Sequence, residues 1–141
     1  MRTLAPLLER PDGASPGKVA AVFNSHNHFY ERSVPLRGLR LGGPAPTGVP
    51  AGFRFPAIAF DADAEHGISY LVAGGGGADL YPTPRDDPGQ GVTFPLGGWL
   101  AAARSARHYV KITVDGPNLC GEAVFLDGSP TDRFTLRGSC P

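Results

Sequence analysis

Apolar positions in this chain fall into short runs separated by long stretches rich in glycine and proline. Val19-Ala20-Ala21-Val22-Phe23 is one continuous apolar run. Bounded by turn residues, it predicts a core strand. Ile68-Ser69-Tyr70-Leu71-Val72-Ala73 predicts a second strand and runs into Gly74-Gly75-Gly76-Gly77. Ala57-Ile58-Ala59-Phe60 predicts a short third strand, followed by a polar turn over 61–67. The carboxyl-terminal third predicts a β-meander with strands over 108–114, 120–126 and 133–136. Asp115-Gly116-Pro117-Asn118 and Asp127-Gly128-Ser129-Pro130 supply its turns. Tyr109, Lys111 and Thr113 alternate with Val110, Ile112 and Val114, which predicts that one face of the first of these strands is buried. Two segments predict helices. Leu4, Leu7 and Leu8 share one face of an amphipathic helix that starts at residue 2 and ends near Arg10. The alanine-rich segment 100–106 predicts a short second helix. Residues 35–56 and 82–98 predict surface loops, and no internal repeat is present.

Composition narrows the class. A chain of 141 residues suits one domain, and 41% hydrophobic residues suffice for a core. Only 18% of residues are charged, with a formal net charge of +0. No basic stripe argues for a nucleic-acid partner, and no acidic tail argues for a disordered chain. The bias is in 20 Gly and 15 Pro, which predicts a loop-rich globular piece. No apolar stretch is long enough to span a bilayer, and residues 1–9 lack the continuous apolar core of a signal peptide. Cys120 and Cys140 form an even pair that permits a disulfide in an exported protein. The position of Cys140 beside a chain end favours two free thiols instead.

The chemistry concentrates in Val22-Phe23-Asn24-Ser25-His26-Asn27-His28-Phe29-Tyr30-Glu31-Arg32. Imidazole is the commonest protein ligand for transition metals. An H-x-H pair at the end of a strand can aim both rings into one cleft, because side chains at i and i+2 share a face. A turn between them lets the rings diverge toward two neighbouring ions. Either arrangement supplies only part of a metal site, because two-metal hydrolytic centres need further ligands.

The same segment, extended through Ser33-Val34-Pro35-Leu36, resembles the last metal-binding motif of calcineurin-like metallophosphoesterases. It is most similar to the purple acid phosphatase branch. The strand-to-glycine segment 67–77, residues 108–116, and Asp127-Gly128 with Asp132-Arg133-Phe134-Thr135-Leu136 resemble the segments that follow the motif in that family. Leu4-Ala5-Pro6-Leu7-Leu8 resembles the helix before it. The resemblance implies an α+β chain: the β-rich half of an α/β/β/α sandwich, with one amino-terminal helix, a mixed sheet and a carboxyl-terminal β-meander. It implies that His26 binds one ion of a binuclear centre and His28 the other. Tyr30, Glu31 and Arg32 would orient those histidines or pack beneath them. The ions would be of the Fe, Zn or Mn class, the substrate a phosphate ester, and the reaction an in-line attack by metal-activated water. Members of that family are often secreted.

The chain departs from the family pattern in two ways. Ser25 stands where the family has glycine. The earlier motifs are also absent, including the bridging carboxylate and a Gly-Asn-His segment. The resemblance therefore implies that residues 1–141 are the carboxyl-terminal part of an incomplete domain. Such a piece would bind metal weakly, catalyse poorly alone, and expose a sheet face to a missing amino-terminal half or a partner. A cupin-like single-metal barrel using His26, His28, Glu31 and Gly38 is an alternative, as is a non-catalytic interaction module. Three other features read as structural. Asp61, Asp63, Glu65 and His66 predict a solvated turn, the tetraglycine a backbone turn near the site, and His108 a half-exposed strand end.

Overall fold

The computed structural model describes residues 19–41, 58–83 and 100–141. All regular structure among them is strand: β1 (Ala21–Asn24), β2 (Tyr30–Ser33), β3 (Leu36–Leu41), β4 (Ile58–Ala62), β5 (Ser69–Ala73), β6 (Leu100–Arg104), β7 (His108–Asp115), β8 (Asn118–Phe125) and β9 (Asp132–Arg137). The fold is β-rich, as expected. The helix predicted over 2–10 lies outside the described residues. Among those described, no helix is long and apolar enough to cross a membrane.

The central sheet has the order β1-β5-β2-β6. β1 and β5 are parallel, with Ala21 opposite Ser69 and Asn24 opposite Val72. β2 runs antiparallel to both β5 and β6. β1, β5 and β6 therefore point the same way, and their carboxyl ends share one edge with the start of β2. β6 corrects an expectation, since residues 100–106 read as a helix. Alanine favours helix only weakly in the face of tertiary context. Here the free edge of β2 offers a ladder, and Glu31 pairs with Ala103 and Arg32 with Ala102.

The second sheet is the meander β7-β8-β9. β7 and β8 pair from His108–Phe125 to Asp115–Asn118. Their two-residue loop places Gly116 at φ 55°, as a tight primed hairpin turn requires. Gly121 is the other glycine the fold depends on. The Phe134 ring lies directly where its Cβ would be, so a bare backbone lets an aromatic side chain lie flat across β8. β3 and β4 form a separate two-stranded ribbon.

The two larger sheets share one core. Tyr30 and Leu71 of the central sheet and Ala106 pack with Ala123, Phe125 and Phe134 of the meander, flanked by Ala21, Ala102, Val110 and Leu136. Burying each large apolar side chain contributes about 1.5–3 kcal/mol. The alternation in β7 is only partly answered by burial. His108 is buried and Val110 half-buried, but Ile112 and Val114 on the same face are exposed, Val114 by 72%. The shared core reaches Val110 and stops short of Ile112 and Val114.

Cys120 and Cys140 form a disulfide with a Cα–Cα distance of 5.7 Å, which corrects the free-thiol expectation. The chain end is tied back onto β8. Gly138 takes φ 73°, Ser139 N–H donates to Asn118 Oδ1 at 3.0 Å, and Cys140 is carried alongside Cys120.

Candidate metal site

The parallel pairing of β1 with β5 brings residues 25–29 against residues 74–81. Gly74 sits so close to the backbone oxygens of Ser25 and Asn27 that a methyl group there would collide with them. Its N–H donates to Phe29 O at 3.2 Å, and the Tyr81 N–H donates to His28 O at 3.1 Å. The tetraglycine thus begins a turn whose first residue, Gly74, packs directly on the histidine loop, while Gly75 packs on His108.

His28 is half-buried and held at two points. Its Nδ1 lies 2.8 Å from the carbonyl oxygen of Asp79, and its ring stacks on Tyr81 with centroids 4.3 Å apart and planes 19° apart. A carbonyl oxygen only accepts, so Nδ1 carries the proton. In the neutral ring Nε2 is then left with its lone pair. Histidines that ligate metals are held in this way, with the second nitrogen donating to a carbonyl or carboxylate. Residues 78–81 are anchored in turn by the connection after β6. Ser105 Oγ donates to Tyr81 O at 2.7 Å, and Arg107 Nη1 donates to Ala78 O at 3.2 Å.

His26 lies on the same loop and is exposed. The described residues contain no group of three or more His, Cys, Asp or Glu that could hold an ion. Of the two loop imidazoles, His28 is the one with described side-chain contacts.

Tyr30 and Arg32 make their described hydrogen bonds to Asp132 of β9. Tyr30 is fully buried, and its hydroxyl donates to Asp132 Oδ2 at 2.7 Å. Arg32 donates to both oxygens of Asp132, through Nε and Nη2, each at 2.9 Å. Its guanidinium also lies 4.6 Å from the Phe134 ring centre, within cation–π range. Burial, then hydrogen bonding and the negative charge of Asp132, push the Tyr30 phenol above its usual value. Burial opposes the charge of Arg32, but its bonds and attraction to Asp132, together with Tyr30, outweigh this and raise its pKa. Tyr30 and Arg32 thus bolt the central sheet to β9. Glu31 points to the opposite face, where burial raises its pKa.

His108 is buried rather than half-exposed. Its Nδ1 donates to Ala106 O at 2.8 Å, and its ring packs against Gly75 and edge-on to Tyr30. The acidic segment closes a turn. Asp63 Oδ1 accepts from the N–H groups of Glu65 and His66, and those backbone bonds, that from His66 first, lower its pKa.

Sequence reasoning missed Asp79, Tyr81, Ser105 and Arg107 as neighbours of the site. Asp79 acts through its backbone carbonyl, which carries no residue-type signal. The other three become neighbours only when β5 pairs with β1 and β6 pairs with β2.

The chain is 40% identical over 74 residues to uncharacterized proteins from two strains of Mycobacterium tuberculosis. Each match covers 48% of this chain and 13% of the relative, so the chain spans a small part of the relatives' length. No family model matches, and no solved structure matches significantly.

Proposed function

We propose that this chain is the carboxyl-terminal part of a metallophosphoesterase domain of the purple acid phosphatase type, and that it contributes His26 and His28 to a binuclear metal centre hydrolysing phosphate esters. The observation that carries this reading is the Nδ1–H bond of His28 to the Asp79 carbonyl, which leaves Nε2 as the ring's lone-pair donor. The loop order supports it, with the histidine pair at the carboxyl end of β1 against the glycine turn after a parallel neighbour. The parallel pair weighs against the cupin alternative, whose double-sheet roll is antiparallel.

In this reading His26 and His28 would hold ions of the Fe, Zn or Mn class. Such ions supply Lewis-acid polarisation of a phosphoryl oxygen and activation of water at neutral pH. The chain's own residues hold the His28 imidazole in place. The Asp79 carbonyl sets the tautomer of His28, and Gly74 admits the histidine loop against β5. The remaining ligands would come from an amino-terminal half of the sandwich, which would also cover the bare row at Ile112 and Val114.

The test is Zn2+ and Fe3+ binding by the chain, His26→Ala, His28→Ala and the double variant, followed by inorganic phosphate binding to the loaded forms. Each single variant is expected to weaken metal binding and the double variant to abolish it, with phosphate binding lost in parallel. Unchanged binding in the double variant overturns the reading. The 141-residue chain alone is expected to hydrolyse p-nitrophenyl phosphate poorly. Strong hydrolysis would contradict an incomplete site.

A further inference from the structure

We infer that Tyr81 is the positioning residue of His28, the group that turns a loop imidazole into a fixed ligand. The inference rests on the metal reading above and adds a residue to it.

One hydrogen bond does not immobilise an imidazole. The bond from Nδ1 to Asp79 O sets which nitrogen carries the proton. It still leaves the ring free to swing about the N–H···O axis and sweep Nε2 through an arc. The Tyr81 ring removes that freedom. It lies nearly parallel to the imidazole, 4.3 Å away at 19°, so swinging the imidazole about the in-plane hydrogen-bond axis would tilt it off the tyrosine face.

Tyr81 also fixes the backbone of the residue it stacks on, since its N–H donates to His28 O at 3.1 Å. Backbone and ring of His28 are therefore both gripped by one residue. Tyr81 is itself held from behind by Ser105 Oγ on its carbonyl at 2.7 Å. Arg107 pins the other end of the segment at Ala78 O. The chain from β6 to β7 thus determines where a nitrogen on the β1–β2 loop points. No described contact uses the Tyr81 hydroxyl, so the aromatic face does this work and the phenol is dispensable. A ligand held before the ion arrives loses less freedom on binding, and supporting partners of this kind change metal affinity about 10–100-fold.

The experiment measures Zn2+ affinity of the 141-residue chain at one fixed pH by competition with a chromophoric chelator. It compares Tyr81→Leu, Tyr81→Phe, Ser105→Ala and His28→Ala with the unaltered chain. Long-range 1H–15N spectra of the His28 ring are recorded alongside. Tyr81→Leu is expected to weaken Zn2+ binding by about 10-fold and to show motionally averaged His28 ring signals. Tyr81→Phe is expected to bind as the unaltered chain does. Ser105→Ala leaves the ring in place but frees its carbonyl, and should give a smaller loss in the same direction. It carries the test if Tyr81→Leu fails to fold. If Tyr81→Leu, or failing it Ser105→Ala, binds Zn2+ normally while His28→Ala loses binding, the role of Tyr81 is overturned and the metal reading stands. If His28→Ala binds normally, the metal reading falls and the role of Tyr81 with it.

Discussion

At Gly74 a single added methyl would meet the backbone oxygens of Asn27 and Ser25, and those atoms belong to the loop that carries His26 and His28. Backbone cannot yield as a flexible side chain does, so Gly74→Ala must push the loop away from β5. The expected cost is about 2 kcal/mol of stability, within the usual range for a strained core-side substitution. A parallel loss of Zn2+ affinity is expected, checked by urea unfolding and metal titration on the same sample. Glu31 makes a different prediction. Burial raises its pKa above the ordinary 4.5, so the folded protein binds its proton more readily than the unfolded chain does. Ionised Glu31 therefore penalises the fold at pH values above its raised pKa. The penalty is relieved as pH falls through the window between that pKa and 4.5. Glu31→Gln is expected to raise Tm at pH 7 to 8, with the gain vanishing below about pH 4.5. A gain that persists at pH 3.5 would refute this origin. These residues were unequally legible in sequence. The histidine pair is recognisable by type and spacing. The support of His28 comes from a carbonyl and from ring stacking, and no pattern of residue types records either.

One ion pair with a bidentate geometry joins β2 of the central sheet to β9 of the meander. Arg32 and Asp132 are separated by 100 positions, yet their side chains are only 14% and 20% exposed and bond at both carboxylate oxygens. Removing one partner strands a poorly solvated charge, and breaking such a pair costs about 3–5 kcal/mol. Asp132→Ala is expected near the lower end, about 3 kcal/mol, because neither group is fully buried. Arg32→Ala in the Asp132→Ala background should cost much less than it does alone, and a double-mutant cycle by chemical denaturation reads the coupling. Strand and turn positions in the meander were legible because alternation, Gly116 and Gly128 agree there with the backbone. β6 was not, because a run of alanines contains no strand signal of its own. It is a strand only because β2 presents an open edge.

On the scale of the whole molecule, the disulfide and the bare apolar row oppose each other. The Cys120–Cys140 bond closes a separation of 20 residues, and a loop of that length predicts about 3 kcal/mol of stabilisation. Cys140→Ser should lower unfolding free energy by about that amount, read in the absence of reductant. Ile112 and Val114 present apolar surface with nothing described upon it, so the isolated chain should self-associate. Val114→Lys should shift sedimentation toward monomer without changing stability by more than about 0.5 kcal/mol. The sequence by itself determined that the chain is β-rich and where the meander turns, because each follows from local periodicity or turn chemistry. Only the tertiary structure decided that Tyr30 and Arg32 serve the sheet-to-sheet junction. The same is true of the closure of Cys140 onto Cys120, and of the grip of Asp79 and Tyr81 on His28. These depend on strands distant in sequence coming into register, and pairing energy between separated segments leaves no trace in either segment alone.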